Sequence, residues 1–179
     1  MAGTNYFVTQ GTQLYVMNTT VTVAVAVVVA ALQGFQGLGG QKASIKLSNF
    51  DSPGFDEYAG GLIDPGKPNG NVILDFNSTA HQLLNKLLKL GQNATTQFFY
   101  GAADGTGGPP TVVGGNLQPP VSGVSPNQKW ARSGFLWTGF VNEFSFSAAV
   151  SNVIMAKFSA QASGAIQMCV YNQNKGVYF

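Results

Sequence analysis

Charge is what this 179-residue sequence has least of: Asp, Glu, Lys and Arg together make up 9%, against about a quarter in ordinary soluble domains. A lone monomer normally stays in solution behind a charged surface. Sparse charge beside 45% hydrophobic residues, 13 Phe and 23 Gly leaves two readings. Either the chain hides much of its surface against copies of itself, or it is a secreted or surface β-domain solvated by Ser, Thr, Asn and Gln. Cysteine is nearly missing as well. Cys169 stands alone, which excludes an intrachain disulfide framework and fits a reducing compartment. The nine Lys and Arg are scattered with no two adjacent, so a net charge of +2 supplies no basic run to grip phosphates. No Lys or Arg occurs in the first 20 residues, so a secretory signal is not expected. The sequons at Asn18, Asn77 and Asn93 then read as chance. Val21 to Leu32 is apolar but shorter than the roughly 20 residues a spanning helix needs, so no membrane insertion is expected.

What is present reads as strand after strand, with one helix. Thr12–Met17 and Val21–Leu32 are rich in β-branched residues, and Val alternates with Thr or Ala through the second. Gly34, Gly37, Gly39 and Gly40 interrupt that pattern. Ala43, Ile45 and Leu47 then alternate with Lys and Ser, as in a half-buried strand with one wet face. Residues 49–70 hold three prolines, five glycines and four of the seven acidic residues, the mark of a long loop or an irregular hairpin arm. Val72, Leu74 and Phe76 share one side of a further strand. A helix over Thr79–Leu90 follows, capped by Asn77 or Ser78, with a stripe of Ala80, Leu83, Leu84, Leu87 and Leu88. Lys86 and Lys89 suit its C-terminal end and Gly91 its stop.

Gln97–Gly101 reads as strand, and the Gly- and Pro-rich stretch 102–127 as a surface loop. In the last third, Phe135 and Trp137 share a face before the large residues move to Phe140, Phe144 and Phe146. A bulge near Gly139 would cause that shift. From Ile154 to Val170 the alternation has period two, longer than an ordinary strand. One long strand or two, split at Ser163-Gly164, would carry it. The whole chain reads as a single domain, because neither side of the 102–127 loop has core enough to stand alone.

Residue patterns for catalysis are missing. His81 sits beside the Leu stripe with no second His or nearby Cys, the setting of a surface or packing histidine, so no metal ligand set is assigned. Cys169 falls on the polar face of the last strand with no partner base nearby in sequence. Asp56-Glu57 is an adjacent carboxylate pair in a loop, and Gly37-Leu38-Gly39-Gly40 lacks the Lys and context of a phosphate loop. No catalytic residue and no cofactor is therefore expected. A competing class remains: a carbohydrate-binding β-sandwich on a virion or cell surface, with Trp130, Trp137 or a surface Tyr as stacking platform.

The order of segments resembles the tail tube proteins of long-tailed phages, especially the siphophage type. The likeness runs through Gln10–Val16, Gly37–Gly40, Lys46–Pro53, Gly60–Gly66, Asp75–Asn77, Ala80–Leu84, Phe135–Val141, Phe144–Phe146 and Gln161–Ile166. It implies a mainly β chain: a β-sandwich or barrel-like domain with one flanking α-helix and long loops, closing into a β-barrel ring on oligomerisation. Six copies would form a ring, and rings would stack into a hollow tube that conducts viral DNA. The long loop would reach the adjacent ring, which makes Asp51, Phe55, Asp56, Glu57, Tyr58 and Asp64 the expected stacking residues.

A channel for a polyanion must expose few unpaired cations. Ser44, Ser48, Ser159, Gln161, Ser163 and Gln167 are accordingly the expected lumen residues, with Lys46 and Lys157 paired to carboxylates or placed near an end. The resemblance further implies tape-measure, tail-tip and tail-terminator proteins as partners. Double-stranded DNA would pass without sequence-specific binding. The chain's place would be the virion tail, and the host cytoplasm during assembly.

Overall fold

The computed structural model describes residues 11–46, 58–90, 94–104, 107–148 and 154–175. Its frame is a seven-stranded sheet built from β1 (Gln13–Asn18), β2 (Val25–Val29), β3 (Leu32–Lys46), β4 (Tyr58–Ile73), β5 (Thr96–Gly101), β10 (Gly134–Ala148) and β11 (Ile154–Cys169), with the spatial order β2-β1-β5-β10-β11-β4-β3. The paired strands run antiparallel. β2 and β3 are the two edges of this sheet, yet only Ala30 and Ala31 separate them in sequence. The sheet must therefore roll until its edges approach each other. Ring contacts across the roll agree: Phe35 of β3 stacks on Tyr100 of β5 at 4.4 Å and lies 5.8 Å from Trp137 of β10.

The helix α1 (Thr79–Leu90) closes the inside of the roll. Ala80, Leu83, Leu84 and Leu87 join Leu14, Val16, Val72, Phe98, Trp137 and Phe158 in the main core. Full burial of a side chain such as Phe98 or Phe158 contributes about 1.5–3 kcal/mol. His81 is buried as well, at the seam between helix and sheet. Its Nδ1 accepts the Asp75 backbone N–H at 3.1 Å. That leaves Nε2 to donate to the Ala30 carbonyl at 3.2 Å, so the histidine ties the helix start to the turn between the two sheet edges.

The other face of the sheet is covered over one half only. Residues 111–130, expected as a surface loop, form two small hairpins, β6 (Thr111–Val113) with β7 (Asn116–Gln118) and β8 (Val121–Ser122) with β9 (Lys129–Trp130). They lower Leu117 and Trp130 onto Tyr15, Met17, Phe99 and Cys169, a second buried cluster. Arg132 locks this half. Its buried guanidinium donates to the carbonyls of Ala102, Gly101 and Gly11, to Gln13 Oε1 and to Tyr15 Oη.

The structure corrects several expectations. The Val21–Leu32 run is not one strand: β2 covers Val25–Val29, and Ala31, with φ 56°, turns the chain into β3. The glycines at 34, 37, 39 and 40 lie inside β3, where β4 approaches closely. A Cβ at Gly37 would stand 2.4 Å from the Lys67 carbonyl oxygen. Residues 58–70 are strand, not loop, so the hairpin-arm alternative holds there. Around 43–46 both faces are exposed, not one. β4 ends at Ile73 and leaves Phe76 exposed beyond it.

In β10 the faces exchange not near Gly139 but between Val141 and Glu143, where the ladder to β11 slips by one residue. Phe144 and Phe146 thus come to the core side, whereas Phe140 lies on the opposite face from Val141. β11 is a single strand. Its extra residues between Ser163 and Gln167 are taken up at Gly164, with φ 79°.

Candidate assembly surfaces

Strand pairing divides the sheet at β10. Its first part, Gly134–Gly139, pairs with β5 on one side and β11 on the other. Its second part, 140–148, pairs with β11 alone. β11 then pairs with β4 over Met155–Ser159, and β4 with β3. Four strand segments therefore form a bare half-sheet, with one rim on β10 (140–148) and the other on β3 (34–45). Among the described residues neither rim has a strand beside it. Unpaired rims of this length invite pairing with another chain.

The face of this half-sheet opposite the helix carries polar groups. Cross-strand partners share a face, which sets Asn69, Ser159 and Glu143 in one row and Asn71, Lys157 and Ser145 in the next. Gln36 joins from β3, its Nε2 donating to Asn69 Oδ1 at 3.2 Å. Lys157 Nζ sits 3.0 Å from Glu143 Oε2. The second carboxylate oxygen, Oε1, accepts the Ser145 hydroxyl at 3.0 Å. These hydrogen bonds and the ammonium charge hold the Glu143 carboxyl below its ordinary range.

The expected lumen residues scatter across this geometry. Ser159, Gln161 and Ser163 lie on the polar face of β11, where Ser159 is buried, Gln161 half-buried and Ser163 exposed. Gln161 Nε2 donates to the Gly66 carbonyl at 3.2 Å. Gln167 is on the same face but beside Leu136 and Trp130, at the margin of the covered half. Ser44 is exposed far out on β3, opposite Gly60. Ser48 lies outside the described residues. Glu143, Ser145, Asn69, Asn71 and Gln36 were not among the expected residues. The signal for Glu143 was its spacing from Phe144, which becomes readable once the bulge at 141–143 is placed.

Of the expected stacking residues, Asp51, Phe55, Asp56 and Glu57 lie outside the described residues. Tyr58 opens β4 opposite Lys46, and Asp64 stands exposed opposite Gln41. Asp64 Oδ1 accepts the Gly66 backbone N–H at 2.9 Å, which holds the turn of the chain there. The backbone ladder between β4 and β11 ends at Asn69, beside Pro68, which has no N–H to continue it, and past the Gln161–Gly66 contact β3 and β4 go on as a two-stranded arm. Gly66, at φ 91°, faces the Gly37 and Gly39 carbonyls at the arm's root; a Cβ there would stand 2.7 and 2.6 Å from them. Outward of that point Leu62, 92% exposed, and Ile63 and Ile45 stand bare.

Two other expectations are overturned. Cys169 is not on a wet face: the hairpins bury it, and desolvation pushes its thiol up to about 12. Trp130 and Trp137 are each 2% exposed, so neither can serve as a sugar-stacking platform. Trp137 stacks instead on Phe98 at 5.3 Å.

Comparison with known proteins agrees with this architecture. A search of curated protein sequences returns no match. Among solved structures, the SPP1 tail tube determined by solid-state NMR and cryo-EM aligns with a TM-score of 0.61 at 8% identity, over 95% of this chain and 81% of that one. A chain of the anti-feeding prophage baseplate aligns with 0.61 at 6% identity, over 96% and 99%. A chain of a native gene transfer agent particle aligns with 0.55 at 8% identity, over 88% and 95%. At these identities the likeness establishes the fold. The model of the family described as phage tail tube, TTP, lambda-like matches residues 5–171. The chain belongs to the lambda-like phage tail tube family and is a structural subunit of a tail tube.

Proposed function

We propose that six copies close into a ring by pairing the β3 rim of one with the β10 rim of the next, and that the polar half-sheet lines the bore. The two rims are different surfaces, so the contact is head-to-tail, the type that closes rings. The observation that carries this reading is the half-sheet itself: four strands with an unpaired rim on each side, a core-bound face and a polar face left uncovered. About 24 strands spaced about 4.8 Å apart give a wall roughly 37 Å across, and side chains take about 5 Å from each side. The remaining passage admits a double helix.

Rings stack through the β3–β4 arm, with Asp51, Phe55, Asp56, Glu57, Tyr58 and Asp64 as the contact residues. The subunit performs no catalysis. Tape-measure, tail-tip and tail-terminator proteins complete the assembly in the host cytoplasm, and the finished tube resides in the virion tail. Duplex DNA passes without sequence-specific binding, because the wall offers Ser, Asn and Gln where a DNA-binding surface would offer Arg and Lys. Negative-stain images of concentrated protein are expected to show rings or hollow tubes. Sedimentation as a lone particle at every concentration and salt would refute the proposal.

A further inference from the structure

Where β3, β4, β11 and β10 lie side by side (32–36, 69–73, 154–161 and 140–148), Glu143 and Lys157 are the only charged residues; Lys42, Asp64 and Lys67 lie farther out, on the β3–β4 arm. They face each other. The ammonium meets one carboxylate oxygen at 3.0 Å, and Ser145 fixes the other, also at 3.0 Å. An isolated surface pair of this kind adds little to stability, and neither residue supports a core contact. Its effect is on the field at the wall. A lysine on an otherwise neutral surface is a phosphate anchor, and six-fold repetition in each ring would turn one anchor into a ladder of them.

We infer that Glu143, held by Ser145, is the residue that silences Lys157 toward DNA, so that the bore stays non-adhesive. This deepens the lumen reading above and rests on it. Asn69, Asn71 and Gln36 are the neighbours of the pair from β4 and β3, and none of them titrates or carries charge. Loss of the carboxylate would therefore leave Lys157 without a substitute counter-charge on this face among the described residues. A freed ammonium exchanges condensed counterions for phosphate contacts, and retention then falls steeply with added salt.

The test uses assembled tubes of the full chain, imaged first so that only intact tubes are compared. The probes are a short linear duplex, able to thread the bore, and a closed circular duplex, too wide to enter it. Wild-type tubes are expected to retain neither. Glu143→Gln tubes are expected to retain the linear duplex about ten-fold more strongly at low salt, with the gain lost on raising the salt. Glu143→Gln/Lys157→Gln tubes should return to the wild-type level, which a merely structural role for Glu143 would not produce. Equal retention by wild-type and Glu143→Gln tubes would overturn the inference. Retention of both probes by Glu143→Gln tubes would place the pair on the outside, refuting the lumen reading while leaving the silencing role intact. Should Glu143→Gln not assemble, Ser145→Ala, which frees one carboxylate oxygen, is expected to give a smaller gain of the same sign, and no gain there would overturn the inference.

Discussion

One face of one sheet is finished in two different ways. Around Cys169, Leu136 and Phe99 the chain supplies its own cover, lowering Leu117 and Trp130 from two hairpins and fastening the end with Arg132. About ten residues along β11, around Lys157, the same face is polar, and among the described residues the strands at its margins have no neighbour on their outer side. In the covered half β1, β5 and the first part of β10 each pair with a strand on both sides. In the bare half the outer rims of β10 and β3 have no strand partner among the described residues, the kind of edge that pairs with another chain. The comparison teaches that one sheet can be covered by its own chain in one region and left open in another.

The sharpest way to break the comparison is to remove its cover. Trp130→Ala empties the second buried cluster and is expected to cost about 3–5 kcal/mol in denaturant unfolding. Asn71→Ala, on the bare half, is expected to stay within about 0.5 kcal/mol. Equal costs would dissolve the distinction. Arg132→Lys keeps the charge but cannot reach five acceptors in a fixed fork, so it should lose about 2 kcal/mol; chemical denaturation measures it. Gly66→Ala meets two carbonyls in the left-handed region. It should cost the isolated subunit only about 1 kcal/mol, while tube yield in electron micrographs drops sharply because the arm is redirected.

The smallest effect concerns Cys169, whose folded value of about 12 lies above the ordinary 9.0. The unfolded chain loses this proton first. Stability from the group is therefore fully present below pH 9.0, and is lost as pH rises from there toward about 12. In the native state at pH 8 the thiol is expected to resist thiol reagents until the protein is unfolded, a matter for a stopped reaction read by mass spectrometry. Fast labelling of the folded protein would show the cover to be loose.

The sequence discloses local periods better than their partners. The helix over Thr79–Leu90 was legible residue for residue, since a stripe at helical spacing with a cap before it and lysines at its end is a purely local signal. The strand at 97–101 and the period-two run from Ile154 to Val170 were legible for the same reason, though not whether that run was one strand or two. The β3–β4 arm was legible only in part, as a strand at 43–47 and as one of two alternatives, loop or irregular hairpin arm, over 49–70. Its strands contain Gly34, Gly37, Gly39, Gly60, Gly61, Pro65, Gly66 and Pro68, residues that local propensity reads as loop and that only a long antiparallel pairing keeps extended. The burial of Cys169 was equally hidden, because its cover comes from residues 111–130, distant in sequence and weakly patterned. The Glu143–Lys157 pair needed the one-residue slip at 141–143, which moves Glu143 onto the face of Lys157 and cannot be counted from alternation alone.

A helical cryo-EM reconstruction of tubes grown from the purified full chain bears most directly on how copies complete the bare half-sheet. The account requires residues 140–148 of one subunit to run beside β3 of the next, with Lys157 and Glu143 facing the bore and α1 turned outward. A wall in which the β6–β9 hairpins or the helix face the bore, or in which those two rims do not meet, would contradict it.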